Sequence, residues 1–121
     1  MTKKKKELER LRALCMSLPE VVEKPFGGHI DPSWRVRDKI FADYRDNEYH
    51  GGRPTLHCKG APGAQAALVG GQPDQFYVPP YSGHNGWIGV RLDRAVDWDL
   101  VEDLVRESYR LIAPKRLAAQ M

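Results

Sequence analysis

No run of apolar residues in this 121-residue chain approaches the roughly 20 needed to cross a bilayer. The basic start "MTKKKKELERL" has no apolar stretch behind it, so it does not read as a signal peptide, and a cytoplasmic protein with no membrane partner is expected. There are only two cysteines, Cys15 and Cys58. That excludes a disulfide scaffold and a Cys-x-x-Cys zinc site, and both thiols are expected to be reduced, buried and apolar in role. The four histidines, His29, His50, His57 and His84, show no His-x-x-x-His spacing. His57 and Cys58 are neighbours on an expected strand, so they point to opposite faces and do not share an ion. A Gly-x-Ser-x-Gly elbow and a Gly-x-x-x-x-Gly-Lys phosphate loop are missing too. "KGAPGA" (59–64) places glycines before a helix start, which is a weak signal for an anion. No metal, no cofactor and no catalytic set is expected, and the roles of His29, His50 and His84 stay open.

Charge of one sign is scarce as well. The net charge is +3, from 19 basic and 16 acidic residues. Four of the basic ones are Lys3, Lys4, Lys5 and Lys6; the remaining 15 nearly balance the acids, leaving the folded body at −1. A nucleic-acid footprint must therefore be a local patch or the lysine run itself.

The composition that remains is ordinary for a soluble domain, with 41% hydrophobic and 29% charged residues. The length suits one domain, 1–121, with a basic start (1–6) and a short tail (114–121). Residues 3 to about 17 read as an amphipathic helix, in which Leu8, Leu11 and Cys15 recur at helical spacing, Leu14 widens the stripe and Leu18 follows just beyond it. "EKPFGGHIDPS" (23–33) reads as a loop. Trp34 and Val36 alternate with Arg35 and Arg37 as a half-buried strand, Asp38-Lys39 makes a tight turn, and Ile40–Arg45 forms a second strand of ambiguous phase. A third strand spans 53–60, with Leu56 and Cys58 on one face and Thr55, His57 and Lys59 on the other. A short helix over 62–71 ends at a glycine pair, and Phe76–Val78 is a short strand. "GWIGVRLD" puts Ile88, Val90 and Leu92 in the core and Trp87, Gly89 and Arg91 opposite. The last helix is capped at Asp97 or at Asp99 with Glu102, and presents Val101, Leu104, Val105, Ser108, Leu111 and Ile112 inward until Pro114 stops it. Trp34 and Trp98 are expected in or beside the core, and Lys115 and Arg116 near the end of that helix. Short turns imply antiparallel strands, and helices on one face give a two-layer α+β domain.

Four segments, "LPEVVEKPFG", "WRVRDKIFADY", "FYVPPYSGHNGWIGVRLD" and "YRLIAPKRL", resemble in order the MmcQ/YjbR-like family, over residues 7–117. The resemblance implies a frataxin-like α+β fold. It also implies a "double-wing" arrangement associated with DNA binding, and no catalytic set. Asp38 stands where the family commonly has glycine, a substitution that left-handed turn geometry tolerates. "GGHIDPS" looks longer than the family's segment.

The outward strand phases assign Arg35, Arg37, Thr55, His57, Lys59, Trp87 and Arg91 to one sheet face, with four fixed positive charges and no acid. Basic side chains around a stacking aromatic suit a nucleic acid, weakly and without sequence preference. The expectation is a non-enzymatic binding module, monomeric by default, whose nucleic-acid contacts are Arg35, Arg37, His57, Lys59, Trp87 and Arg91. The alternatives are a solvated strand face, or a small-molecule or protein-partner site under the 79–86 loop using Tyr81, His84 and Trp87. An enzyme would need a polar pocket with a perturbed acid or base, which the sequence does not display.

Overall fold

The structure is a computed structural model that describes residues 3–25, 31–46, 54–80 and 82–121. Helix α1 (Lys3–Met16) is followed by strands β1 (Val22–Pro25), β2 (Pro32–Val36), β3 (Lys39–Arg45) and β4 (Thr55–Lys59). Then come α2 (Ala64–Gly71), β5 (Phe76–Tyr77), β6 (Trp87–Arg91), α3 (Trp98–Ile112) and α4 (Lys115–Ala118). The six strands form one antiparallel sheet in the order β1-β2-β3-β4-β6-β5. The α+β expectation is met, with the helices supplying the apolar side chains of one face.

That face is dry. Trp34, Ala42, Cys58 and Ile88 stand in register across β2, β3, β4 and β6, and Tyr44, Leu56, Val90 and Phe76 form the next row. All eight are at most 2% exposed. Leu11, Cys15 and Leu18 close the core from the α1 side, as their spacing predicts. Both thiols are buried and unbridged; burial pushes Cys58 up to about 12 and raises Cys15 as well, which disfavours either thiolate at neutral pH.

Strand β1 lies partly in the 23–33 segment whose composition implies a loop. Its four residues are mostly exposed, it ends at Pro25, and an edge strand needs no apolar alternation. What holds it is polar: the Glu23 carboxylate accepts from Arg12 Nε (2.8 Å) and Trp34 Nε1 (2.9 Å), tying β1 to α1 and to the core tryptophan.

The ambiguous phase of β3 has a cause. Trp34 pairs with Ala42 but Arg35 pairs with Ile40, so Phe41 is the extra residue of a β-bulge, and both Phe41 and Ala42 are buried. The bulge leaves ladder groups to satisfy. Ser108 of α3, fully buried, donates its hydroxyl to Phe41 O (2.6 Å) and accepts from Lys59 N (2.9 Å). Phe41 also meets the Tyr109 ring edge-on at 5.3 Å.

Helix α3 is capped by Asp97, whose Oδ1 accepts from Asp99 N (3.0 Å) and Leu100 N (3.3 Å); the Asp99–Glu102 alternative is not used. Its inner face holds Val101, Val105, Ser108 and Tyr109. Leu111, expected inside, is 40% exposed, because Tyr109 takes that place and donates its hydroxyl to Pro19 O (2.6 Å). Trp34 is fully buried, whereas Trp98 lies at the core edge under Arg10, 4.8 Å from the ring centroid. The glycine pair does not stop α2, which runs through Gly71 and is closed at Gln72. The tail after Pro114 is a further helical turn with Leu117 buried, while Lys115 and Arg116 are exposed.

Candidate functional site: a buried polar row on the outer sheet face

The face away from the helices is expected to be open and basic, and it departs from that in three ways. Arg37 is not on it. Strands β2 and β3 join through the two residues Arg37 and Asp38, with φ of 51° and 65°. Two consecutive positive φ values define the type I′ hairpin turn, whose twist matches the strands. The turn thus falls one residue earlier than expected, and Arg37 bonds Glu20 Oε1 at 3.0 Å instead of facing outward.

Second, the face contains acids. One register row crosses all six strands: Lys24, Ser33, Asp43, His57, Gly89 and Tyr77. The row beside it is Arg45, Thr55 and Arg91. Asp43 sits at the centre and buried Asp31 lies close enough to act on it electrostatically.

Third, the centre is not solvated. Ser33, Asp43, Thr55 and His57 are at most 4% exposed. Buried polar groups must be hydrogen-bonded: Ser33 donates to Lys24 O (2.9 Å), Thr55 and His57 meet through Tyr77, and Asp43 is held by Arg45. Thr55 Oγ1 donates to Val90 O (3.0 Å) and lies 2.6 Å from Tyr77 OH. Tyr77 OH is 2.7 Å from His57 Nε2. On the far side of the imidazole, Nδ1 is 3.7 Å from Asp43 Oδ1, beyond direct hydrogen-bond length. The same Oδ1 accepts from Arg45 Nε at 3.0 Å. A hydroxyl has one hydrogen, and that of Thr55 goes to Val90 O. Tyr77 must therefore donate to Thr55, and His57 Nε2–H donates to Tyr77.

Gly89 makes this arrangement possible. The Tyr77 ring lies directly on it, and a Cβ there would come within 2.3 Å of the ring. The Arg91 guanidinium lies over the tyrosine ring, 4.7 Å from its centroid, and Arg91 Nη1 donates to Pro73 O at 3.2 Å. Burial raises the Asp43 carboxyl to about 6, opposed by Arg45 and assisted by Asp31. Burial also raises Tyr77.

The remaining expected contacts lie around this centre. Arg35 is half-buried, with its Nε on Ser33 Oγ (3.3 Å). Lys59 and Trp87 are register partners on β4 and β6, both half-buried. His84 is exposed in a 3-10 turn (Gly83–Asn85), and Tyr81, His29 and His50 lie outside the described residues. The 79–86 loop is fastened to α2 by Gln65, whose Nε2 donates to Gly83 O (2.8 Å) and Trp87 O (2.7 Å). A cavity of about 70 Å³ lies elsewhere, between Gln72, Phe76, Val90, Val96 and Leu100 near the start of α3. Among the described residues no three His, Cys, Asp or Glu side chains gather as metal ligands, and no helix is long and apolar enough to cross a membrane.

Sequence reasoning named His57, Thr55 and Arg91 but missed Asp43, Arg45 and Tyr77. Asp43 and Arg45 were legible in principle, since they alternate with Ala42 and Tyr44. Tyr77 was not, because its reach over Gly89 depends on the pairing of β5 with β6.

No curated protein matches the chain. Among solved structures it is similar to Deinococcus radiodurans protein DR2400, which carries a DUF419 domain. The identity is 21%, the TM-score 0.77, and the match covers 93% of this chain and 86% of that one, which speaks for the fold. The YjbR family model matches residues 16–111, from the end of α1 to the last turn of α3. That span holds every strand of the sheet and the whole polar row, and the chain belongs to the YjbR family.

Proposed function

We propose that this protein is a non-catalytic binding module that takes a nucleic-acid backbone on the outer sheet face. The observation that carries this reading is the convergence of Arg35, Arg45, Lys59 and Arg91, from four strands, on one face beside the half-buried Trp87. Cations in such a field contact phosphates, and an indole at the rim offers a base a stacking surface. The acids beneath the face reduce its net charge, so binding is weak and falls steeply with salt. The double-wing association of the resembling family points the same way, at the level of fold only.

The test is titration of labelled single-stranded and duplex DNA at low and moderate salt. Charge reversal at Arg35, Lys59 or Arg91 weakens binding at least several-fold, since each contact releases about one counterion. Arg37→Glu, in the turn, leaves it nearly unchanged. Absence of binding at low salt, or equal losses from Arg37 and Arg91, would sink the reading. The alternative site under the 79–86 loop has less support, because Gln65 draws that loop onto α2.

A further inference from the structure

The cations of this face are not equally available. Arg35 Nε is held by Ser33 Oγ at 3.3 Å, Arg45 Nε by Asp43 Oδ1 at 3.0 Å, and Arg91 by Pro73 O and the Tyr77 ring. The Lys59 side chain makes no hydrogen bond, ion pair or ring contact among the described residues. The three indoles divide in the same way. Trp34 Nε1 donates to Glu23 Oε1 (2.9 Å) and Trp98 lies under Arg10, whereas the Trp87 indole has no such contact among the described residues. The uncommitted cation and the uncommitted indole stand directly opposite each other, Lys59 on β4 and Trp87 on β6, on the same side of the sheet.

Their main chains are fixed while their side chains are not. Lys59 N donates to Ser108 Oγ (2.9 Å), Gly60 N donates to Gly86 O (3.0 Å), and Trp87 O accepts from Gln65 Nε2 (2.7 Å). Strand β5 ends at Tyr77, opposite Gly89, so among the described residues no strand flanks Trp87 on its other side. Side chains directly opposite on antiparallel strands have Cβ atoms about 5 Å apart. An aromatic ring stacked on the indole would therefore bring an attached anionic group within reach of the ammonium. Residues 26–30 and 47–53 connect strands at the opposite end of the face, after Pro25 and Arg45.

We propose that the Lys59–Trp87 pair takes one unpaired nucleotide, its base on the indole and its phosphate on the ammonium, so that the face selects single-stranded over duplex nucleic acid. The inference rests on the binding reading above and narrows it. A duplex keeps its base faces stacked inside and presents only phosphates and groove edges. It can satisfy Lys59 but leaves Trp87 without a partner. Trp87 is half-buried at the start of a strand, unlike the projecting wedges that pry paired bases apart. A single strand serves both groups at once. Every unpaired base has a free π-face, so the preference is for strandedness and not for sequence. Arg35 and Arg91 attract the backbone of either form, which leaves the duplex a weaker ligand rather than none.

The experiment compares oligothymidylate, the same strand paired with oligodeoxyadenylate, and free thymidine monophosphate at fixed low salt. The proteins are wild type, Trp87→Ala, Trp87→Phe and Lys59→Gln, and the indole N–H resonances are followed by NMR in the same titrations. Wild type should bind the single strand about tenfold more tightly than the duplex, the scale of one base stacked on an aromatic ring. Trp87→Ala should remove that preference and leave duplex affinity within about twofold, since phosphate contacts are untouched. Trp87→Phe, which keeps a ring, should retain most of the preference. Lys59→Gln should weaken both forms and lower the salt slope on the single strand by about 0.7. The Trp87 Nε1–H resonance should shift on adding the single strand, while that of Trp34, held by Glu23, stays still. Equal affinity for the two forms, an equal loss of both in Trp87→Ala, or a still Trp87 resonance overturns the inference. A Trp87 shift with thymidine monophosphate and no binding of either DNA supports the nucleotide site and retires the nucleic-acid reading, so the two ideas fail separately.

Discussion

The two faces of the sheet are both closed to water at their centres, yet by opposite chemistry. On β4 the contrast runs residue by residue. Leu56 and Cys58, fully buried, face the helices among aromatic and aliphatic side chains; Thr55 and His57, 4% exposed, face the other way into hydroxyls, a carboxylate and guanidinia. Burial of the first pair is favourable in itself, at about 25 cal/mol per Å² of apolar surface. Burial of the second is offset by the hydrogen bonds that Thr55 and His57 make to Tyr77, and burial raises the neighbouring Asp43 carboxyl. Perturbed titratable groups concentrate at functional sites, and the raised Asp43 carboxyl lies under the face proposed to bind.

Three substitutions test whether the two faces differ as described. The largest effect belongs to the dry face. Leu56→Ala should lower stability by about 2–5 kcal/mol, equally at acid and neutral pH, as read by urea denaturation. A pH-dependent loss there would mean that the two faces are not energetically separate.

Asp43→Asn should act with the opposite sign. The folded-state carboxyl, at about 6, lies above its ordinary 3.8, so the folded protein holds the proton more tightly than the unfolded chain. The stability this contributes is complete below the unfolded value and is lost as pH rises through the folded one. The variant has no such loss. It should match wild type near pH 4 and exceed it at pH 8 by up to about 3 kcal/mol. Paired denaturation curves at the two pH values check this; a constant difference between the proteins would show that the carboxylate is comfortable in its site.

The smallest effect is Tyr77→Phe. It keeps the ring on Gly89 and removes only the hydroxyl shared by Thr55 and His57, costing about 1 kcal/mol. The imidazole resonances of His57 should shift while the core methyls stay in place. Movement of the methyls of Ile88 and Val90 would mean that the polar row supports the dry face after all.

Much of the architecture was legible because it rests on periodicity. The period-2 pattern of Leu56–Cys58 and Ile88–Val90–Leu92, and the helical stripes of α1 and α3, follow from which positions must leave water. Edge strand β1 was illegible for the same reason, since "VEKP" buries too little to leave a pattern. Arg37 was misplaced because strand alternation continues through it, whereas the hairpin needs two residues at positive φ. Leu111 lost its place to Tyr109 because a hydroxyl that finds Pro19 O can be buried as readily as a leucine.

The candidate site divides in the same way. Alternation by itself determined that Thr55, His57, Lys59 and Arg91 share the face away from the helices, because successive strand residues must point to opposite sides. Residue spacing likewise shows no Cys-x-x-Cys or His-x-x-x-His pair and no Gly-x-Ser-x-Gly elbow. Only the tertiary structure decided that this face is buried at its middle. Register brings Asp43, His57 and Tyr77 into one row from strands distant in sequence, and the absent side chain of Gly89 lets a tyrosine lie across it. Local sequence determines which side of a strand a residue is on; whether that side is wet depends on what other strands bring over it.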